Sequence, residues 1–546
     1  MPIKSQFADV EVPNWDLWQM YAEEPKNYPP TQPLFIEAES DRSYNFEQYR
    51  DLAVVFGKGL KHQYGWKKGD VLGFYTPNNI DTPVTTLGLH WAGGIASPAN
   101  PAYTVEELAR QLKDSGARAL ITQKALLGTA RKAAQEAGMP LDHIFLIGTA
   151  KDESGKHKHW TEITAHDAWF QPKRTLVDPK KDPAYLVYSS GTTGMPKGVV
   201  LTHENMVANA FQGRRFDPKI LSWDSDRQLG ILPLFHCYGL SVVISVTLFT
   251  GAPCIVMAAF DLEKACRLIQ EHRVSFVYVA PPIVLALSKH PVVSKYDLSS
   301  IKFLNSGAAP LGKALVESVW NRFGFGVKQG YGLSETSPTT HTQYIDEFWK
   351  FQGSVGKLVP NMEAMIIDDQ GKEVAPGEQG ELLLKGPNVF GGYWKRPDLN
   401  KDTFTADGWY KTGDVVYADD KGNFYITDRI KELIKYKGFQ VPPAELEAIL
   451  LGREDIADTC VIGVWDEERQ SEVPRAYVVP KPGVEANDEL AKSIMDFIAG
   501  KVAPQKQLRG GVRFIPEIPK SPAGKILRRI LRDKVNKEEG KIQAKL

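Results

Sequence analysis

Cysteine is scarce in this chain and dispersed where it occurs. Of 546 residues only Cys237, Cys254, Cys266 and Cys460 are cysteine, and no two stand in C-x-x-C spacing. That pattern excludes a disulfide framework and a zinc ribbon, and predicts free thiols of a reducing compartment. Net charge is missing as well. The 66 Lys and Arg balance 66 Asp and Glu, so no global field draws the chain to nucleic acid. Long apolar runs are absent too. Leu229 to Phe260 holds no Asp, Glu, Lys or Arg, but Pro233, His236, Gly239, Gly251 and Pro253 interrupt it short of a bilayer span. A buried helix and then a strand from Cys254 to Met257 are expected there, not a transmembrane segment. The first residues lack a charged start followed by an apolar core, so no secretory signal is expected.

What is present fits an ordinary globular protein of two or more domains, with 42% hydrophobic and 24% charged residues. Helical and strand patterns alternate over the first four-fifths. Leu108 and Leu112 lie four apart in a predicted helix from Thr104 to Lys113, and Ala117 to Thr122 then reads as a strand. Val71 to Tyr75, His143 to Ile147 and Phe276 to Val279 read as further buried strands. Such alternation predicts layered α/β architecture. After Asp428-Arg429-Ile430-Lys431 the pattern changes. Strands over Thr459–Val464, Arg475–Val479 and Val512–Ile515, with a helix near Glu489–Ala499, suggest a small α+β unit. A last helix is predicted from Lys525, with Ile526, Leu527, Ile530 and Leu531 as one apolar stripe. Arg528, Arg529 and Arg532 are expected on its solvated face.

The densest chemical signal lies between two apolar strands, Tyr185 to Tyr188 and Val199 to Leu201. The intervening loop holds Ser189, Ser190, Gly191, Thr192, Thr193, Gly194, Lys197 and Gly198. Glycines let backbone amides turn toward a bound group, hydroxyls add donors, and the lysine adds a mobile charge. The composition suits a polyphosphate. It is not a Walker A loop, because the glycines and lysine miss that spacing and a strand follows where that motif opens a helix.

The order Ser-Ser-Gly-Thr-Thr-Gly-x-Pro-Lys-Gly resembles the phosphate loop of the adenylate-forming superfamily, which includes acyl-CoA and aryl-CoA ligases, luciferases and adenylation domains. The resemblance recurs along most of the chain, to Arg529, and is strongest to the 4-coumarate–CoA ligase-like branch. It implies a fold with a large N-terminal domain of several layered α/β subdomains (1–428), a hinge (429–433) pivoting at Lys431, and a small mobile α+β C-terminal lid (434–546). It also implies ATP, Mg²⁺ and coenzyme A as reactants or cofactors, and a small carboxylic acid as the partner to be activated.

Residue roles follow from the same likeness. In Gln329-Gly330-Tyr331-Gly332-Leu333-Ser334-Glu335, Gln329 and Gly330 would border the nucleotide and Tyr331 would stack on adenine. Ser334, where the family usually has Thr, would contact the α-phosphate, and Glu335 would help bind Mg²⁺. Ala308, in Ser306-Gly307-Ala308-Ala309-Pro310, would touch both purine and acyl group. Asp414 would accept from the ribose hydroxyls and Arg429 would donate to them. Lys525 resembles the adenylation lysine, although Ser521 and Ala523 depart from the usual spelling around it. Lys435 and Gln440 resemble the pair that faces the site when the thioester forms, and Lys437 and Gly438 would line the CoA approach. His236 matches the histidine at the carboxylate pocket's mouth, with a packed core histidine as the alternative. Tyr238, Gly307, Gly332, Pro338 and Thr339 match acyl-pocket positions of coumarate ligases. The chain departs at Val242, where serine is usual, and at Ala259, where lysine is usual.

These residues together imply an acid–CoA ligase acting on an apolar acid, either medium-chain fatty or arylalkanoic such as phenylacetate. A 4-coumarate–CoA ligase, a luciferase-like monooxygenase and a standalone adenylation enzyme feeding a carrier protein share the motifs. The ending Ala544-Lys545-Leu546 is close to the Ser-Lys-Leu peroxisomal address, so recognition by the import receptor is expected.

Overall fold

The computed structural model describes residues 2–165, 171–189, 196–214, 221–437, 439–521 and 524–538. Ser190, Gly191, Thr192, Thr193, Gly194, Gly438, Ala523 and the Ala544-Lys545-Leu546 ending lie outside them.

Three sheets build the large domain. In the first, Ile144–Leu146, Ala117–Thr122, Val71–Tyr75, Ile95–Ala99 and Pro183–Ser189 run parallel in that spatial order. Lys197–Thr202 then closes the edge as an antiparallel partner of Pro183–Ser189. Val71–Tyr75 and Ile95–Ala99 are buried throughout, which is why they read as unbroken apolar runs and not as alternating strands. The second sheet has nine strands. At its centre Phe276–Val279, Phe303–Ser306 and Gly326–Gly332 lie parallel, and Thr339–Thr342 is antiparallel to the last of them. The third is antiparallel and ends on Tyr410–Ala418 and Phe424–Arg429.

Local sequence fixes the helix between these layers that matters most for the site. Thr202 ends a strand and caps His203–Gly213 at once, its hydroxyl accepting from the Asn205 amide at 3.1 Å. The apolar stretch from Leu229 yields the strand Gln228–Gly230, a π-helical turn Gly239–Val243 running into the helix Ile244–Thr250, and the strand Cys254–Val256. No helix among the described residues is long and apolar enough to cross a membrane.

The small domain follows Arg429. A hairpin pairs Ile434–Tyr436 with Phe439–Val441, and Ile456–Asp466, Ser471–Pro480 and Val512–Phe514 form a second sheet. Alternate residues of Ile456–Asp466 feed two cores. Val461 packs with Leu446, Leu450, Ile494 and Ile498 of two helices on one face. Cys460, Ile462 and Val464 pack with Leu531 and Val535 of the last helix on the other.

That last helix departs from expectation in three ways. It spans Arg528–Glu538 and does not begin at Lys525. Ser521 donates its amide to the Lys525 carbonyl at 2.8 Å, and Lys520 bridges Ile526, so the chain is still turning where apolar spacing suggested helix. Ile530 is half exposed, and Leu531 and Val535 form the buried face. Finally, Arg528 is not solvated. It is ion-paired with Glu432 and, at 2.6 Å, with Glu447, all three being about nine-tenths buried. Arg529 is exposed and stands 3.9 Å from Asp533, and Arg532 is partly buried.

Candidate active site

A cavity of about 1310 Å³ lies between the sheets of the large domain and the lid. Its walls include Ser189, Lys197, His236, Tyr238, Val242, Gly307, Ala308, Gly330, Tyr331, Gly332, Ser334, Glu335, Pro338, Thr339, Arg429, Lys431 and Lys525. Residues separated by hundreds of positions thus converge on one space. Gln329 is buried behind the wall, its amide donating to Gln343 Oε1 at 2.8 Å. Lys435, Lys437 and Gln440 stand on the exposed lid hairpin, away from the cavity, with Lys435 paired in register to Gln440.

Antiparallel pairing sets Asp414 opposite Arg429, and the guanidinium Nε lies 3.0 Å from Asp414 Oδ1. The other carboxylate oxygen accepts from the Tyr331 phenol at 2.5 Å. One buried carboxylate therefore orients an aromatic ring and a cation on the same wall. Burial first and Asp414 second push the Tyr331 phenol far up, so it stays a neutral donor.

Glu335 is buried in a short 3-10 turn, and its Oε1 accepts from the Tyr393 phenol at 2.9 Å. Lys197 Nζ stands 5.2 Å from the centroid of the same Tyr393 ring. Tyr393 thus joins Lys197, which follows the glycine-rich segment, to the acidic residue of a distant strand end. Sequence reasoning missed it; the run Gly391-Gly392-Tyr393-Trp394 was its one signal, and it pairs along Lys197–Thr202 through the Val200 and Trp394 amides.

Burial lowers Lys525 to about 8; Arg429 adds to this, and Glu432, Asp414 and Glu335 oppose it. His236 is held at about 4, by burial and then by Lys525, so it is neutral near pH 7. Its Nδ1 accepts from the Tyr238 amide at 3.3 Å, which assigns the ring proton to Nε2. The ring lines the cavity.

Below this polar rim two helices supply matched faces. Met206, Asn209, Ala210, Gly213 and Arg214 recur at helical spacing on one, and Tyr238, Ser241, Val242, Ser245, Val246 and Phe249 on the other. Gly307 closes the upper end, where a Cβ would stand 3.1 Å from the Tyr238 ring. At the lower end the Arg214 guanidinium lies 4.9 Å from the Phe249 centroid.

The family model for AMP-binding enzymes matches residues 22–394, and that for the AMP-binding enzyme C-terminal domain matches 445–525. The chain belongs to the AMP-binding enzymes. Within that family it is an ATP-dependent, AMP-forming acid–CoA ligase of the adenylate-forming type. It is 35% identical over 544 residues to a probable 4-coumarate–CoA ligase 1 of Dictyostelium discoideum, covering 97% of each chain. To 4-coumarate–CoA ligase 3 of Arabidopsis thaliana it is 34% identical, covering 97% of this chain and 94% of the other. Among solved structures, an anthranilate–CoA ligase in complex with anthranoyl-AMP superposes with a TM-score of 0.87 at 25% identity, covering 97% and 99%. ATP-bound MatB from Rhodopseudomonas palustris gives 0.82 at 26% identity, covering 95% and 98%. The large α/β domain and small lid of this ligase are the architecture of that family.

Proposed function

We propose that this ligase activates an apolar carboxylic acid, a medium-chain fatty acid or an arylalkanoic acid such as phenylacetate, and transfers it to CoA. The observation that carries this reading is the two-helix channel. It runs about 12 Å from Met206 to Arg214, at 1.5 Å per residue, and Met206, Ala210, Val242, Val246 and Phe249 give it apolar walls. Two of its polar side chains are engaged by neighbours, while Ser241 has only the Met206 sulfur, at 3.9 Å. Asn209 exchanges hydrogen bonds with the Thr339 backbone and donates to Gln212 Oε1, and Ser245 is bonded to the Tyr21 hydroxyl at 2.8 Å. A phenolic substrate would therefore gain little there.

The chemistry divides in two. A carboxylate oxygen bonds to the α-phosphorus of ATP, the bond to the bridging oxygen breaks, and pyrophosphate leaves. The sulfur of CoA, having lost its proton, then bonds to the acyl carbon, and AMP leaves with the electron pair of the C–O bond. The first step brings anions together, so cations and donors must meet them. Lys197, with the loop at 189–198, holds the β and γ phosphates. Ser334 contacts the α-phosphate, Tyr331 stacks on adenine, and Asp414 and Arg429 take the ribose. Lys525 spans carboxylate and α-phosphate, and His236 orients the acid through Nε2–H. The described residues contain no group of three metal-ligating side chains. Glu335 would offer magnesium one hard oxygen ligand beside the phosphates, where the ion would neutralise their charge. The lid then pivots at Lys431, removing Lys525 and bringing Lys435 and Gln440 to the adenylate, with Lys437 and Gly438 beside the incoming CoA.

Screening octanoate, phenylacetate and 4-coumarate by AMP release under saturating CoA tests the acid. The names of the curated relatives favour 4-coumarate, and faster turnover of it than of either apolar acid would replace our reading with that one. We further propose peroxisomal import through Ala544-Lys545-Leu546. A fluorescent protein fused at the N-terminus, with Leu546 left as the free C-terminus, that remains cytosolic would remove that part.

A further inference from the structure

One large-domain helix, Pro281–Lys289, is gripped by the lid at both ends. At its start Ala280 and Pro282 lie against Gly524, where a Cβ would stand 3.0 Å from each of them. That close approach and a φ of 81° favour glycine there, and Lys525 is the next residue. At its end, about 13 Å away by helical rise, the ammonium of Lys289 enters the lid. It donates to the carbonyls of Leu451 and Ile456 at 2.9 Å and of Arg453 at 3.4 Å. Leu451 ends the lid helix Pro443–Leu451, so these acceptors include the carbonyls that a helix terminus leaves unpaired, at the negative end of its dipole. Arg322, from the neighbouring helix, donates to the carbonyls of Leu287, Ser288 and His290 and fixes the end from which Lys289 projects. Around the ammonium stand Asp455, Asp458 and Lys481, with Asp455 already paired to Arg453 at 2.5 Å and Asp458 to Lys520 at 2.5 Å. Lys289 therefore answers backbone carbonyls and not a lid carboxylate. Its bonds fit one lid orientation, because three carbonyls on a turning chain cannot be met together after a rotation.

We propose that Lys289 is a positioning residue that seats the lid for adenylate formation, holding Lys525 in the cavity. This rests on the division into two half-reactions proposed above. Spin labels at N321C and K492C report lid orientation directly, since both sites are exposed and the four native cysteines are buried. With ATP and magnesium, the native chain should give one dominant interlabel distance, and K289M should add a second population. In the same variant, pyrophosphate–ATP exchange with the best acid of the screen should fall about tenfold, the value of a lost charge-assisted hydrogen bond. Thioester formation from the preformed adenylate should hold or rise, and K289R should recover most of the exchange. An unchanged distance distribution, or equal loss in both half-reactions, overturns the proposal. Lys525→Ala serves as the control for the division itself: should that variant lose both halves equally, the two-step lid fails whatever K289M does.

Discussion

Titrating adenylate formation from pH 7 to pH 9 should discharge Lys525 in the free enzyme. The sign follows from its surroundings. Burial and Arg429 bring it down to about 8, so the ammonium exists below that pH and is lost above it. At pH 7 about nine-tenths of the enzyme carries the charge, and at pH 9 about one-tenth does. If only the charged form bridges carboxylate and α-phosphate, kcat/KM for pyrophosphate–ATP exchange falls about tenfold across that interval. The profile of kcat should break later, because bound phosphates favour the ammonium. Thioester formation from preformed adenylate should move the opposite way, since a CoA thiol near 8.5 becomes the nucleophilic thiolate as pH rises. Lys525→Arg keeps its charge throughout and should flatten the exchange profile at a lower plateau. An alkaline limb that survives in Lys525→Arg, or its absence from the native enzyme up to pH 10, refutes the assignment.

Lys435→Ala should leave pyrophosphate exchange within twofold of native and slow thioester formation by about a hundredfold, the cost of one transition-state donor; rapid-quench assays of each half would show it. Arg528→Met should destabilise the lid by about 3–5 kcal/mol in denaturant unfolding, because Glu432 and Glu447 would remain buried and unpaired. Adding Glu447→Gln should return part of that loss, and a strictly additive double mutant would argue against a shared cluster. Phe249→Ala should extend the channel, raising kcat/KM for decanoate relative to octanoate by up to about fourfold per added methylene in competition assays; no change in the ratio would place the acyl group elsewhere.

The motifs of the candidate site are legible because each is local. A glycine-rich loop between strands, a Tyr-Gly segment before Glu335 and a lysine after Gly524 announce themselves within a dozen residues. Strands such as Val71–Tyr75 and Phe276–Val279 were legible because burial on both faces leaves continuous apolar runs. What stayed hidden depends on partners far away in the chain. Nothing near Arg528 reveals that Glu432 and Glu447 lie 96 and 81 residues away and take it out of water. Tyr393 gains its place from Glu335, 58 residues earlier. Helical spacing from Lys525 misled because the turn through Ser521 and Gly524 is fixed by hydrogen bonds that no periodicity records.

The Glu432–Arg528–Glu447 cluster has a mechanical consequence. All three residues lie on the C-terminal side of Lys431, so the turn proposed above would carry them together as one piece. Arg528 follows Lys525 by three positions, so the proposed turn would carry that amine along with the cluster. By contrast, the Asp428 carboxylate accepts from the Ala444 amide at 3.0 Å on the other side of Lys431, and the proposed turn would have to break that bond. The proposed motion would therefore spare the cluster and work against bonds such as this one and those of Lys289, which join the two sides.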